Sequence, residues 1–367
     1  MTALGARIAA AIAAQGPMRI DQFMTMALLD PSEGYYATRD PLGVDFITAP
    51  EVSQMFGELV GLWLAQAWVD QGRPARPLLV ELGPGRGTLM SDALRALNLM
   101  PSFRGQLDVV LVEASPVLET IQQTTLQGAN VPVRSVASFD DVPKDRPLFL
   151  IANEFFDALP IRQFVKTERG WCERMVSLDT SGALGFALSP VAYPSANLPP
   201  NRDGAPPGGV YETSPAGEAL AEEIAHRIAR NGGAALIVDY GYDMPGFGET
   251  LQALAEHKFA DVLAEPGTRD LSAHVDFTAL GDAAVRGGAS VCGPVEQADF
   301  LVSLGIVHRA EALAASQWAG GRSHMPALGE DPELMRQLDR LIKPEQMGKL
   351  FKALAIVPRS APTPAGF

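Results

Sequence analysis

The chain has 367 residues, enough for one large α/β domain with additions or for two modest domains, and so for a buried small-molecule site. Its 29 Lys and Arg against 43 Asp and Glu give a formal net charge of -14, which leaves no global positive field for a phosphate backbone and argues against nucleic acid as a partner. The two cysteines, Cys172 and Cys292, have no CxxC spacing and the histidines form no HxxxH or HExxH pair, so neither a disulfide framework nor a metal centre is expected.

The first twenty residues are Ala-rich, with Arg7, Arg19 and no acid. Ile8, Ala11 and Ile12, followed by Met18 and Ile20, read as a first core helix and its exit; the alternative is an organelle transit peptide. No apolar run reaches the length of about 18 residues that a membrane span needs. A cytoplasmic protein in a reducing compartment is the expectation. Leu62-Trp63-Leu64 with Trp68 stand at helical spacing, a stripe that reads as core before ligand box.

From Leu78 onward apolar runs and helical stretches alternate, as in a doubly wound parallel sheet. Leu78-Leu79-Val80 leads into a glycine turn and a helix over Thr88 to Leu97. Leu107 to Val112 is the second strand, Ser115 to Leu126 its helix, Val131 to Val136 the third strand and Leu148 to Ala152 the fourth. Each is a near-continuous apolar run, the mark of a strand buried on both faces. Arg162 to Lys166, Trp171 to Leu178 and Gly185 to Leu188 then alternate like antiparallel strands, and a Pro/Gly/Asn-rich loop follows from Ser189 to Gly209. A helix over Ala216 to Arg230, the run Ala234 to Val238 and a last strand over Phe351 to Val357 resume the sheet pattern. The expected division is a helical extension over 1–77, an α/β domain over 78–160 and 211–367, and a β-rich insertion with its loop over 161–210.

The strand that ends in Glu81-Leu82-Gly83-Pro84-Gly85-Arg86-Gly87 and opens a helix makes a nucleotide-type site at the carboxyl edge of the sheet. Glycines there let the backbone approach a ligand with no Cβ in the way. The sixth position of a GxGxxG fingerprint counted from Gly83 is Thr88, so the dinucleotide match is imperfect, and no Gly-Lys-Ser/Thr follows to make a P-loop. Glu81 puts a carboxylate where a pyrophosphate would be repelled and where the ammonium of a methionyl group could be paired, which favours S-adenosylmethionine over NAD. Glu113 closes the second strand, where a carboxylate accepts from ribose hydroxyls. Ser138, Phe139 and Asp140 follow the third strand, as adenine contacts or as a solvated loop.

Strand four delivers Asn153-Glu154-Phe155-Phe156-Asp157-Ala158-Leu159-Pro160 to the same edge. Direct methyl transfer is an in-line displacement, accelerated mainly by alignment and exclusion of water, and Asn153 with a carboxylate can orient an N–H nucleophile. A guanidinium suits such a site because carboxylates hold its planar donors bidentately. Glu154 is the first candidate for that carboxylate. Glu212 is a second, or else a helix-start acid, and Asp157 either joins them or braces the turn.

The segments Glu33-Gly34-Tyr35-Tyr36, Asp45 to Glu58, Glu81 to Thr88, Asn153 to Pro160, Asp239-Tyr240-Gly241, Ala273 to Phe277 and Met347 to Lys352 together resemble, in order and over nearly the whole chain, the MidA family of class I methyltransferases. The resemblance implies a seven-stranded, Rossmann-like methyltransferase sheet with added elements and S-adenosylmethionine as cofactor. It also implies an arginine of a protein as acceptor, a respiratory complex I subunit in the mitochondrial members. It further implies that the Phe46 to Gln54 segment closes over the cofactor through Thr48, Pro50 and Gln54. His274 and Asp276 become acceptor-pocket residues on the same ground, with a capped helix start at Asp276 as the alternative. The readings from other classes are a non-catalytic S-adenosylmethionine-binding assembly factor and an NAD-dependent oxidoreductase.

Overall fold

A computed structural model describes residues 2–38, 48–194, 198, 203–244, 246–255, 258–316 and 328–367. The chain divides into two compact units, one formed by residues 47–155, 221–241 and 281–367 and the other by 1–46, 156–220 and 242–280.

The first of these is the sheet unit. Its strands are β1 (Leu78–Leu82), β2 (Asp108–Val112), β3 (Val133–Val136), β4 (Leu148–Asn153), β5 (Gly233–Tyr242), β6 (Ser290–Glu296) and β7 (Phe351–Val357). The main path of the sheet runs β3-β2-β1-β4-β5-β7-β6. β1 to β5 are parallel neighbours, with Glu81 level with Leu111 on one side and Ile151 on the other, whereas β7 is antiparallel to both β5 and β6. Every residue of β1, β4 and β7 is buried, including Glu81, Asn153 and Lys352, as near-continuous apolar runs lead one to expect. The order reverses beside β1: the chain goes outward to β3 and returns to β4. The carboxyl ends of β1 and β4 therefore flank the switch point at which open α/β sheets bind ligands.

The helix Gln54–Asp70, capped by the Ser53 hydroxyl on the Met55 N–H, belongs to this unit. It lies against the Thr88–Ala96 helix, and glycine permits the approach. A Cβ at Gly57 would stand 2.8 Å from Cβ of Asp92, and one at Gly61 would stand 2.7 Å from Cα of Ala93. Trp63 and Trp68 on the same helix are core, as the stripe suggested; their indoles donate to the carbonyls of Ala365 and Pro74.

In the β-rich unit, Met18–Arg19, Gly170–Leu178, Arg162–Thr167 and Val210–Thr213 form an antiparallel sheet, and Leu184–Ala192 also pairs with Gly170–Leu178. Leu4, Ile8 and Ile12 of the helix Ala3–Gln15 and Phe23 and Met24 of the helix Ile20–Leu29 pack in one core with Ile161, Val176 and Leu271. The unit boundaries differ from the expected ones. Among the described residues, the apolar stripes of 2–38 pack with Ile161, Val176, Leu251 and Leu271 of the β-rich unit, whereas the Gln54–Asp70 helix packs with the first helix after the sheet begins.

Candidate active site

The end of β1 carries the strongest feature of the sheet unit. Glu81 is 3% exposed, and its Oε2 is buried with no hydrogen-bond partner among the described residues. Burial, reinforced by the charge of Glu113, pushes its carboxyl up to about 8. In the turn that follows, Gly83, Gly85 and Gly87 have φ of 60°, 53° and 80°. At Gly83 glycine is needed twice over, for this left-handed backbone and because a Cβ would stand 2.7 Å from Cδ2 of Phe155. Thr88, where the helix starts, donates its hydroxyl to Oε1 of Glu51 at 2.6 Å.

Glu113 follows β2. Its Oε1 accepts the Ser115 N–H at 2.8 Å and its Oε2 accepts Nε2 of Gln122 at 3.1 Å. Burial raises its carboxyl above the ordinary range, and these bonds partly oppose that. Gln122, fully buried, also donates from Nε2 to the Gly85 carbonyl at 2.7 Å, so one amide joins the glycine turn to the acid of the next strand. Beyond β3, the exposed Ser138 caps the short helical turn Phe139–Asp141 by accepting the Asp140 N–H. Phe139 is buried with the guanidinium of Arg227 4.0 Å from its ring centroid.

At the end of β4 Asn153 is buried; its Nδ2 donates to Oε1 of Glu154 at 3.1 Å, and its Oδ1 has no partner among the described residues. The same Glu154 oxygen accepts the Ala49 N–H at 2.9 Å, and Glu154 itself sits at φ 50°. The resemblance-implied contacts lie nearby in sequence: Thr48 precedes the helix Ala49–Val52, Pro50 is buried in it, and the exposed Gln54 accepts from Nη2 of Arg95. Phe46 lies outside the described residues.

Asp157, Glu212 and His274 fall in the β-rich unit. Glu212 accepts from Nε2 of Gln163 at 2.7 Å, from the N–H groups of Thr250 at 3.1 Å and Leu251 at 3.3 Å, and from the Thr250 hydroxyl. The buried Asp157 accepts the Ala273 N–H on its carbonyl oxygen, and Asp276 accepts the Ala279 N–H as cap of the helix Phe277–Arg286. Glu212, His274 and Asp276 share the lining of a pocket with Tyr211, Tyr242 and Glu218, among other residues. Burial lowers the His274 imidazole and raises both phenols; after burial the charge of Asp276 acts on each phenol. Asp239, Gln122, Tyr211 and Tyr242 are structural partners that sequence reasoning left without a role.

A family of S-adenosyl-L-methionine-dependent methyltransferases matches residues 59–295, more than half of the chain. The chain belongs to this family. Protein arginine methyltransferase NDUFAF7, mitochondrial, of Bos taurus is 38% identical to it over 380 residues, 95% of this chain and 81% of the relative. The human protein of the same name is 37% identical over 376 residues, with the same coverage. A crystal structure of a Burkholderia thailandensis protein bound to S-adenosyl-homocysteine matches with a TM-score of 0.83 at 30% identity, over 99% of this chain and 94% of that one. The protein is thus a class I, S-adenosylmethionine-dependent methyltransferase, and the likeness to MidA holds.

The expectation of a cytoplasmic protein is corrected by these relatives, which carry mitochondrial names in Bos taurus, Homo sapiens and Drosophila melanogaster. That expectation rests on reading the Ala-rich first twenty residues as a core helix and its exit in preference to a transit peptide, and scarce cysteine and the lack of a span do not separate two reducing aqueous compartments. No helix among the described residues is long and apolar enough to cross a membrane, and no metal-binding cluster occurs among them.

The residues present fit the cofactor. Its ammonium needs a buried acceptor without a protein donor, which Glu81 would supply, and its ribose needs a carboxylate at the next strand end, which Glu113 would supply. The glycine turn between them keeps Cβ atoms out of the cradle.

Proposed function

We propose that this methyltransferase modifies an arginine side chain of a protein substrate. The observation that carries the reading is the naming of relatives 37–38% identical over 95% of the chain as protein arginine methyltransferases. The chemistry of the proposed residues supports it. A guanidinium is planar and permanently charged, and it is best held by carboxylates and aromatic faces. Glu154 offers a carboxylate whose Oε1 is already fixed by two donors, and the pocket of the β-rich unit is lined by Tyr211, Tyr242 and three acids with no Lys or Arg.

When bound, S-adenosylmethionine supplies an electrophilic methyl group on a cationic sulfur. Transfer forms one N–C bond from a guanidino nitrogen as the S–C bond breaks; the electron pair stays on sulfur, which becomes a neutral thioether, and the nitrogen releases one proton. On this reading Asn153 and Glu154 orient the acceptor nitrogen, and Asp157, Glu212 and His274 are the acceptor-side candidates of the β-rich unit. Glu81, Gly83, Pro84, Gly85, Gly87, Thr88, Glu113, Ser138 and Phe139 hold the cofactor, with Thr48, Pro50 and Gln54 on the preceding segment. The acceptor to try first is the complex I subunit implied by the likeness to MidA.

The test is transfer of a labelled methyl group to proteins of a matching lysate, followed by acid hydrolysis and separation of methylated amino acids. Label in methylarginine, lost in Glu154→Gln while cofactor affinity stays within a few fold, is expected. Label in any other residue, or wild-type transfer by Glu154→Gln, overturns the corresponding assignment.

A further inference from the structure

Gln122 sits where a surface amide would be unremarked, in the middle of the ten-residue helix Pro116–Thr125. Yet it is fully buried, and its Nε2 bridges the Gly85 carbonyl at 2.7 Å and Oε2 of Glu113 at 3.1 Å. Its Cγ would also lie 3.6 Å from a Cβ placed at Gly87. The side chain therefore bonds the glycine turn at Gly85 and the acid of the neighbouring strand, and it lies beside Gly87. An ordinary packing residue in that place would be apolar, because a buried amide is costly unless it is satisfied, and here Oε1 has no partner among the described residues. Burying an amide with half its hydrogen-bonding capacity unused is a cost that packing does not explain, and the bridge does.

We infer that Gln122 is a positioning residue of the cofactor site: it fixes the Glu113 carboxylate against the turn that holds the rest of the ligand. This rests on the reading of Glu113 as the ribose acceptor. Oε1 of Glu113 is held by the Ser115 N–H, which belongs to the same loop, whereas its Oε2 accepts from Gln122, whose amide also reaches the turn after β1. The bond from Gln122 also favours the ionised form of Glu113 against the burial that opposes it. Without it Glu113 both swings and protonates more readily, and a protonated carboxyl accepts poorly from two hydroxyls.

The test is calorimetric titration of the full chain with S-adenosylmethionine between pH 5.5 and 8.5, on the order of the range over which perturbed carboxyls ionise. Gln122→Met keeps length and burial but cannot donate. It should weaken binding about tenfold and move the acidic limb of the affinity profile to higher pH, with no loss of thermal stability. In a Glu113→Gln background the same substitution should add almost nothing, since it acts through that carboxylate. Gln122→Glu is the second variant: protonated, it can still donate one bond, whereas ionised it faces Glu113 as a like charge. Its affinity relative to wild type should fall as pH rises. A flat ratio for Gln122→Glu, or a Gln122→Met effect that is absent or fully additive with Glu113→Gln, overturns the inference. If Glu113→Gln itself binds cofactor as wild type does, the reading of Glu113 falls first and takes this one with it.

Discussion

Asp239 accepts the Phe155 N–H on Oδ2 at 3.1 Å and the Tyr240 N–H on Oδ1 at 2.9 Å, so a single fully buried carboxylate ties the end of β4 to the end of β5. What it stabilises is the left-handed backbone of Glu154, φ 50°, which costs a non-glycine residue roughly 1 kcal/mol and persists only where neighbours over-determine it. Asp239→Asn should release one of the two N–H groups, because an amide can present only one acceptor oxygen. Methyl transfer should drop by about tenfold or more, with a lower melting temperature and a smaller change in cofactor affinity, read by melting and titration of the same variant. Unchanged transfer would remove Asp239 from the support of the β4 turn.

How far such relationships are legible in sequence varies by type. β1, β2 and β4 declare themselves, since buried parallel strands are near-continuous apolar runs and each stops at a polar residue that the structure places at the sheet edge. Glu81 and Glu113 are visible for the same reason. Gln122 is not, although a signal exists: it stands four residues after Leu118 and four before Leu126, on the stripe that faces inward. The split of the amino-terminal region was illegible because it depends on which apolar faces meet across long sequence separations. Only the spacing of Gly57 and Gly61 hinted that the helix Gln54–Asp70 belongs beside another helix of the sheet unit.

That close approach gives a stability prediction. Gly61→Ala would put a methyl group 2.7 Å from Cα and 2.9 Å from Cβ of Ala93, neither of which can yield without moving the helix. Overpacking of this kind costs about 1–3 kcal/mol, so the melting temperature should fall clearly, and Gly61→Val should fall further. A melting temperature equal to wild type for both would mean the helices pack otherwise.

Gly83→Ala tests the turn itself. The methyl group would meet the Phe155 ring at 2.7 Å in a backbone conformation that alanine disfavours. Loss of detectable S-adenosylmethionine binding with the fold retained is expected in calorimetry and circular dichroism. Binding within a few fold of wild type would place the cofactor away from this turn.

Glu212 is expected to act as a strut. Its carboxylate gathers donors from Gln163, Thr250 and Leu251, so Glu212→Ala leaves several buried donors unsatisfied, at about 1–3 kcal/mol for each that finds no water. The variant should melt well below wild type while its folded fraction binds cofactor normally. A variant that melts normally but cannot transfer methyl groups would give Glu212 a direct part in the chemistry.

Glu81 yields the sharpest pH dependence. Its carboxyl is pushed up to about 8, against an ordinary value of 4.5, mainly by burial and then by Glu113. A cationic ammonium pairs with the ionised form, so at lower pH the ligand must first drive off a proton. Affinity for S-adenosylmethionine should therefore rise as pH goes from 6 to 8, by up to about 100-fold for two pH units, until the ammonium loses its own proton. Stability runs the other way. A carboxyl whose folded pKa lies above its unfolded one binds more protons folded than unfolded, so its contribution favours folding at low pH and is lost between 4.5 and about 8. Glu81→Gln removes the buried charge and should raise the melting temperature at pH 8 while abolishing the pH-dependent part of binding. If Glu81→Gln melts lower at pH 8, or binds with the wild-type pH profile, the carboxylate at the end of β1 is not the group that meets the cofactor's ammonium.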